Sequence, residues 1–155
     1  MRACYLSLGT NVGDRAAHLA AGLEIVRAND VARTSRVYET EPVGGVDQDD
    51  FWNMVVEIIS DATPRELLER ARAAEAARGR IRDVRWGPRA LDVDVLLVGN
   101  ETSDDPEILV PHPRLYERKF VLVPLRELAP DLVSDEQLHA GDGRVRALGT
   151  LETLR

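Results

Sequence analysis

Arg85-Trp86-Gly87-Pro88-Arg89-Ala90-Leu91-Asp92-Val93-Asp94 runs directly into the apolar stretch Val95-Leu96-Leu97-Val98. A strand alternates its faces, so Leu91, Val93, Val95 and Leu97 are expected to enter a core while Asp92 and Asp94 project together from the other side. Carboxylates at i and i+2 have Cα atoms roughly 6 to 7 Å apart. That separation suits two divalent ions lying about 3.5 to 4 Å from each other. The plainer reading is a solvated pair of acids at a strand's start, since Asp is disfavoured in strands. The apolar residues that follow argue against it, because they set the carboxylates beside a core. Upstream, Arg85 and Arg89 flank Trp86 and a Gly-Pro turn. Metal ligands beside guanidiniums fit bound phosphates.

Moving outward toward the N-terminus, Gly79 to Arg89 holds Arg80, Arg82, Arg85 and Arg89 without helical or strand periodicity. Guanidiniums make forked contacts with phosphate oxygens, and an acidic chain has no need of four in one loop for solubility. The segment therefore reads as an anion-binding loop leading into the acidic pair. Before it, Thr63-Pro64-Arg65-Glu66 is a capping box with proline at the first helical position. The helix carries Leu67, Leu68, Ala71 and Ala74, and Gly79 is placed to end it. Glu75 falls on or beside the apolar face. It needs a buried partner there, or lies at the edge paired with Arg72 or Arg78.

Phe51 to Ser60 alternates, with Trp52, Met54, Val56 and Ile58 on one face and Phe51, Asn53, Val55, Glu57 and Ile59 on the other. Phe51 and Asn53 thus stand side by side. A flat heterocycle could stack on the ring while the amide pairs with its polar edge; a rim aromatic beside a turn asparagine is the equal alternative. Thr40 to Val43 could supply a wall, in the loop that continues through Gly44-Gly45 and the acidic Asp47-Gln48-Asp49-Asp50. Val31 to Thr40 is read as one strand. Ala3 to Leu8 is read as the first strand, followed by a turn from Gly9 to Asp14. Asp14 caps a helix with Leu19, Leu23 and Val26 on its apolar face, and His18 on the surface without a partner.

Downstream, Gly99-Asn100 predicts a tight turn and Glu101-Thr102 a short return strand. Pro111-His112-Pro113-Arg114 holds a histidine between rigid flanks, with Arg118 beyond it. Phe120 to Leu125 is apolar, Arg126 to Leu128 helical, and Pro130 a stop. The tail from Asp131 carries no motif, and His139 is expected to be exposed.

The chain has 155 residues, 44% hydrophobic but only 5% aromatic, which predicts one domain spanning 1–155 with an aliphatic interior. A formal net charge of -7 argues against a general nucleic-acid binder. Cys4 is the only cysteine, so no internal disulfide is available and a cytoplasmic setting is expected. The N-terminus lacks a signal-peptide pattern, and no stretch reaches the roughly 20 apolar residues of a membrane span.

Several blocks, taken in order, resemble one family. They are Leu8-Gly9-Thr10-Asn11, Tyr38-Glu39-Thr40-Glu41-Pro42-Val43-Gly44, Asp50-Phe51-Trp52-Asn53, Gly79-Arg80, the run Arg85 to Asp94, Pro111-His112-Pro113-Arg114, Arg118-Lys119-Phe120 and Pro124-Leu125. Together they resemble the 6-hydroxymethyl-7,8-dihydropterin pyrophosphokinases of folate biosynthesis. The resemblance implies a ferredoxin-like α+β domain with a largely antiparallel sheet and mobile active-site loops. It implies transfer of a diphosphate from ATP to the pterin's hydroxymethyl group, with release of AMP. Asp92 and Asp94 would hold two Mg2+ ions, and Arg82 and Arg89, with His112 and Arg118, would contact the phosphates. Glu75, Trp86 and Val95 would lie near the nucleotide. Gly9, Thr40, Val43, Phe51, Asn53 and Phe120 would form the pterin pocket. Small molecules alone, with no nucleic acid and no membrane, are the implied partners of a monomer. Arg72 stands where some members carry glutamine, Glu107 and Leu109 where some carry a basic and a hydroxyl residue, and the arginine loop is one residue shorter.

Two other readings compete. A phosphotransferase or nucleotidyltransferase could use the same acidic pair. A ferredoxin-like RNA-binding module would want a basic sheet face with clustered aromatics, which this composition opposes.

Overall fold

Alternation of apolar residues builds six described strands, and every ladder between them is antiparallel. The computed structural model describes residues 1–41, 49–79, 90–141 and 143–155. The strands are β1 (Arg2–Thr10), β2 (Val31–Thr34), β3 (Val37–Thr40), β4 (Phe51–Ser60), β5 (Asp92–Val98) and β6 (Val145–Gly149). Their order is β5-β1-β4-β3-β6, with β2 pairing β4 beyond the end of β3. The helices are α1 (Arg15–Arg27), α2 (Pro64–Ala77), α3 (Lys119–Leu128), α4 (Asp135–Ala140) and α5 (Leu151–Leu154). Two β-α-β units interleaved in one antiparallel sheet make this the expected ferredoxin-like α+β fold.

The sheet is covered on both faces. Cys4, Leu6 and Leu8 of β1, Met54, Val56 and Ile58 of β4, and Val93 and Val95 of β5 join Leu19 and Val26 of α1 and Leu67, Ala71 and Ala74 of α2 in one aliphatic core. Tyr5, Val55 and Leu96 face the other way and pack with Val121, Leu122, Leu125 and Leu128 of α3 in a second. The expected face assignments of β4 hold. In β5 they hold only as far as Val95. The pairing of β5 with β1 slips at Tyr5/Leu6, so Leu96 and Leu97 join the second core and Val98 returns to the first. One extra residue in a strand moves everything beyond it to the other face, so Leu97 does not share the core of Leu91.

The caps form as read. The Asp14 side chain accepts from the Ala17 amide at 3.1 Å. Thr63 and Glu66 complete their capping box, and Gly79 follows α2 at φ +79°, a conformation glycine adopts without strain.

Other expectations shift. The first strand continues through Gly9 and Thr10, so the turn begins at Asn11. The strand expected over Val31 to Thr40 is broken at Ser35-Arg36. Ser35 is buried, its hydroxyl takes the Val55 amide at 3.0 Å and its own amide reaches the Val55 carbonyl at 2.9 Å. A side chain standing in for a ladder carbonyl divides β2 from β3. Glu101-Thr102 forms no return strand; one isolated bridge, Ser103 to Val110, closes that loop. The helix assigned to Arg126–Leu128 begins at Lys119 and carries Pro124 within it. The tail contributes β6, which lies beside β3, and His139 is exposed as expected.

Candidate active site

Antiparallel register decides which side chains meet, because residues directly opposite one another share a face. Tyr38 lies opposite Asn53, Asn53 opposite Gly9, and Gly9 opposite Asp92, so one row crosses four strands. The next row on one side pairs Thr40 with Phe51. On the other side, Val55, Ser7 and Asp94 align. Asp92 and Asp94 therefore share the face that carries Asn53, Phe51 and Thr40. The acidic pair and the aromatic-amide pair belong to one surface.

Inside that surface the amide is held. Asn53 Nδ2 donates to Thr40 Oγ1 at 2.8 Å, and both residues are only 7% exposed. Gly9 is required beneath it, since a methyl group there would collide with Asn53 Oδ1. With Nδ2 committed in part to Thr40, the amide is fixed in orientation and its edge can select a complementary donor-acceptor pattern.

The strand of the acidic pair is held from its edge. The buried Glu75 on α2 accepts the amide of Val93, the residue between the two aspartates, at 3.1 Å. This gives Glu75 a buried partner; Arg72 pairs with Glu107 at 3.1 Å, and Arg78 donates to His18 at 2.9 Å. His18 is thus not the unpartnered surface residue expected. Further along β5, the His112 amide donates to the Leu96 carbonyl at 2.9 Å, which pins the Pro-His-Pro segment to the strand. The peptide Val110–Pro111 is cis.

His112 is aimed at the acidic pair, with Nε2 3.8 Å from Asp94 Oδ1. Its Nδ1 accepts the Arg114 amide at 3.1 Å, so the ring proton of the neutral form sits on Nε2, toward Asp94. Burial, and then the cations Arg118 and Arg114, lower the His112 pKa, while Asp94 opposes them. Arg118 is also pulled below its ordinary value, first by burial and then by Arg114. Its guanidinium lies 5.5 Å from the centre of the Phe120 ring, and the nearby Asp94, Glu117 and Asp92 oppose the lowering. A desolvated guanidinium in that state favours an anion brought by a ligand.

No group of three or more His, Cys, Asp or Glu side chains capable of holding a metal occurs among the described residues. The donor set that is present, two carboxylates on one strand face, suits Mg2+, which uses one or two carboxylates and completes its octahedron with phosphate oxygens and water. The residues fit that metal.

The structure brings Gly9, Thr40, Phe51, Asn53, Asp92, Asp94, His112, Arg118 and Phe120 to one side of the sheet. Val95 is buried in the first core, on the opposite face from the aspartates. Arg82, Trp86, Arg89 and Val43 lie outside the described residues, as do Arg80 and Arg85. Of the positions that depart from the family's pattern, Arg72 and Glu107 pair with each other, and Arg65 joins them through Glu107 at 3.2 Å and Asp105 at 2.6 Å. Sequence reading missed Glu127, which accepts from the buried Tyr38 hydroxyl at 2.5 Å. Strand alternation already puts Tyr38 on the face of Thr40, but nothing local announces a partner so distant in the chain.

The sequence as a whole is similar to proteins already known. The sequence model of the family described as 7,8-dihydro-6-hydroxymethylpterin-pyrophosphokinase (HPPK) matches residues 5–130. The 2-amino-4-hydroxy-6-hydroxymethyldihydropteridine pyrophosphokinase of Bacillus subtilis is 46% identical over 127 residues, covering 80% of this chain and 76% of that protein. The protein of the same name from Methylorubrum extorquens is 47% identical over 136 residues, 86% of each chain. That from Pseudomonas aeruginosa is 40% identical over 131 residues, 83% of this chain and 81% of its own.

Proposed function

The chain belongs to the 7,8-dihydro-6-hydroxymethylpterin-pyrophosphokinase family, and on that premise we propose how its residues divide the work. The protein is an ATP-dependent diphosphotransferase of folate biosynthesis acting on the hydroxymethyldihydropterin. The observation that carries the residue assignment is the row Asn53–Gly9–Asp92. It spans two strand spacings, about 10 Å, which is the reach of a fused two-ring heterocycle with a one-carbon arm. Asn53 and Thr40 hold the polar edge of the pterin, Phe51 and Phe120 its faces, and the arm points along the row toward Asp92.

Asp92 and Asp94 would hold the two Mg2+ ions that accompany the triphosphate. Bound there, magnesium neutralises the charge that develops on the phosphates. Arg118 and His112 approach the same phosphates from the α3 side, and Arg82 and Arg89 belong to the same task. Glu75 holds the acidic strand through the Val93 amide and, with Trp86, borders the nucleotide; Val95, whose side chain is buried on the opposite face, offers the nucleotide only its backbone. The hydroxyl oxygen attacks the β-phosphorus in line, the bond from that phosphorus to the α-β bridging oxygen breaks, AMP leaves, and the hydroxyl proton passes to solvent water. His112 carries its proton on the nitrogen facing Asp94, so it donates to a phosphate oxygen and does not take the hydroxyl proton. Positioning supplies most of the acceleration.

The same reading makes residues 1–155 one domain, acting as a monomer in the cytoplasm where ATP is available. The pairing of β6 from the tail with β3 supports the single unit. Among the described residues no helix is long and apolar enough to cross a membrane.

The deciding experiment is product analysis with ATP, Mg2+ and the reduced pterin. AMP in equal amount to the pterin diphosphate is expected; ADP as the sole nucleotide product overturns the reading.

A further inference from the structure

Tyr38 belongs to the Tyr-Glu-Thr block, yet nothing in the chemistry above uses it. It is 3% exposed, and its phenol donates to Glu127 on α3. The Glu127 carboxylate also accepts the Arg36 amide at 3.0 Å and Arg36 Nε at 3.3 Å, and Arg36 Nη2 reaches the Tyr38 oxygen at 3.2 Å. One carboxylate on the helix thus gathers three donors from the start of β3. The Tyr38 pKa is pushed up to about 12 by burial and by its bond to Glu127.

The direction of α3 follows from its contacts. The Leu128 carbonyl accepts Arg33 Nη2 at 2.8 Å, and Glu127 meets Arg36 and Tyr38. Going backward along α3 therefore means going forward along β2 and β3. Phe120 precedes Glu127 by seven residues, two turns, so the two side chains leave the helix within about 20° of one another and about 10 Å apart along its axis. Thr40 lies about 7 Å beyond Tyr38 on the same face of β3. Helix and strand run as antiparallel rails. Tyr38 and Glu127 join them at one end, and Phe120 lies two turns away along α3, toward the end of β3 that carries Thr40.

Pro124 sharpens this arrangement. It lacks the amide that would bond to the Phe120 carbonyl, so the turn carrying Phe120 is held less firmly by its own helix. Val121, Leu122 and Leu125 add apolar packing on the sheet, but among the described residues Tyr38–Glu127 is the side-chain hydrogen bond between α3 and a strand nearest to that turn. We infer that Tyr38 and Glu127 are positioning residues that set the width of the pterin slot by fixing α3 against β3. The inference rests on the pocket assignment above and adds to it which groups, remote from the substrate, hold the slot open to the right gap.

A second phenol provides the control. Tyr5 is 7% exposed, donates to Glu57 Oε2 at 2.7 Å, and is likewise pushed up to about 12, by burial and by Glu57. Its partner lies on β4, so this bond joins two strands and not the helix to the sheet. Tyr38→Phe and Tyr5→Phe remove the same kind of bond.

The test measures pterin affinity, nucleotide affinity and thermal midpoint in both variants. Tyr38→Phe is expected to weaken pterin binding about fivefold to tenfold, the scale of one ordinary hydrogen bond, with nucleotide affinity unchanged. Glu127→Gln, which keeps an acceptor for the phenol, should recover part of the loss seen in Glu127→Ala. Tyr5→Phe is expected to lower the midpoint and leave both affinities alone. Equal pterin weakening in both tyrosine variants, or none in Tyr38→Phe, overturns the inference. Phe120→Ala separates this from failure of the pocket itself. Weakened pterin binding in Phe120→Ala with intact binding in Tyr38→Phe overturns the positioning role alone. Intact binding in both overturns the pocket assignment and this role with it.

Discussion

The two faces of the sheet are made from alternate residues of the same strands, yet they differ in kind. Beneath α1 and α2 the middle of β1 and β4 is apolar, from Cys4, Leu6 and Leu8 to Met54, Val56 and Ile58, with Trp52 packed at its edge. On the α3 side, only the half beneath that helix is apolar, with Tyr5, Val55 and Leu96. The other half carries Gly9, Asn53, Thr40, Asp92 and Asp94 in register. A face that holds the fold together tolerates aliphatic variety. A face that binds a polar ligand needs particular atoms in particular rows. Alternation lets ten residues of β4 serve both demands without interfering.

That division can be broken most severely at the acidic strand. Asp92→Ala or Asp94→Ala should lower turnover by roughly 10³-fold, the upper end of the cost of removing one charge-stabilising group. Thermal stability and pterin affinity should stay near those of the parent, and near-normal rates in either variant would refute the metal assignment. The opposite outcome is expected from the aliphatic face. Leu6 is fully buried, and Leu6→Ala should cost about 2 to 5 kcal/mol of stability in denaturant titration. At a temperature where the variant remains folded, its pterin and nucleotide affinities should be unaltered.

Gly9→Ala sharpens the contrast, because the added methyl group enters the polar face against Asn53 Oδ1. Displacing that amide should weaken pterin binding about tenfold while nucleotide binding persists, a loss comparable to one misplaced polar contact; calorimetry with each ligand separately decides. The smallest effect is alkaline. Tyr5 and Tyr38 hold their protons up to about 12 in the folded chain, against an ordinary value of 10.0. Their contribution to stability is full below pH 10 and falls as pH rises toward 12, since only the unfolded chain ionises first. The slope of stability against pH in that window should be shallower in Tyr5→Phe and Tyr38→Phe than in the parent.

Local signals made much of this legible beforehand. Alternation located β4 and assigned both of its faces; the capping residues placed α1 and α2; the Asp-Val-Asp spacing put two carboxylates together. What escaped had no local signature. Ser35 breaks the strand because its hydroxyl finds the Val55 amide across the sheet. β6 forms because β3 offers it an edge, although its own sequence is mostly exposed. His18 meets Arg78, and Tyr38 meets Glu127, through pairings that only the closed fold creates. Long-range partners leave no periodicity to read, and a slip of one residue at Leu96 cannot be distinguished in sequence from continued alternation.

That slip also makes β5 two strands in phase terms. Up to Val95 the sequence keeps one parity and carries the carboxylates; from Leu96 it starts afresh, with Leu96 and Leu97 beneath α3 and Val98 back in the first core. An inserted residue between Asp92 and Asp94 would turn one of the two carboxylates into the aliphatic layer. Length variation beyond the slip has somewhere to be absorbed, so the binding half and the anchoring half of one short strand can drift independently in sequence.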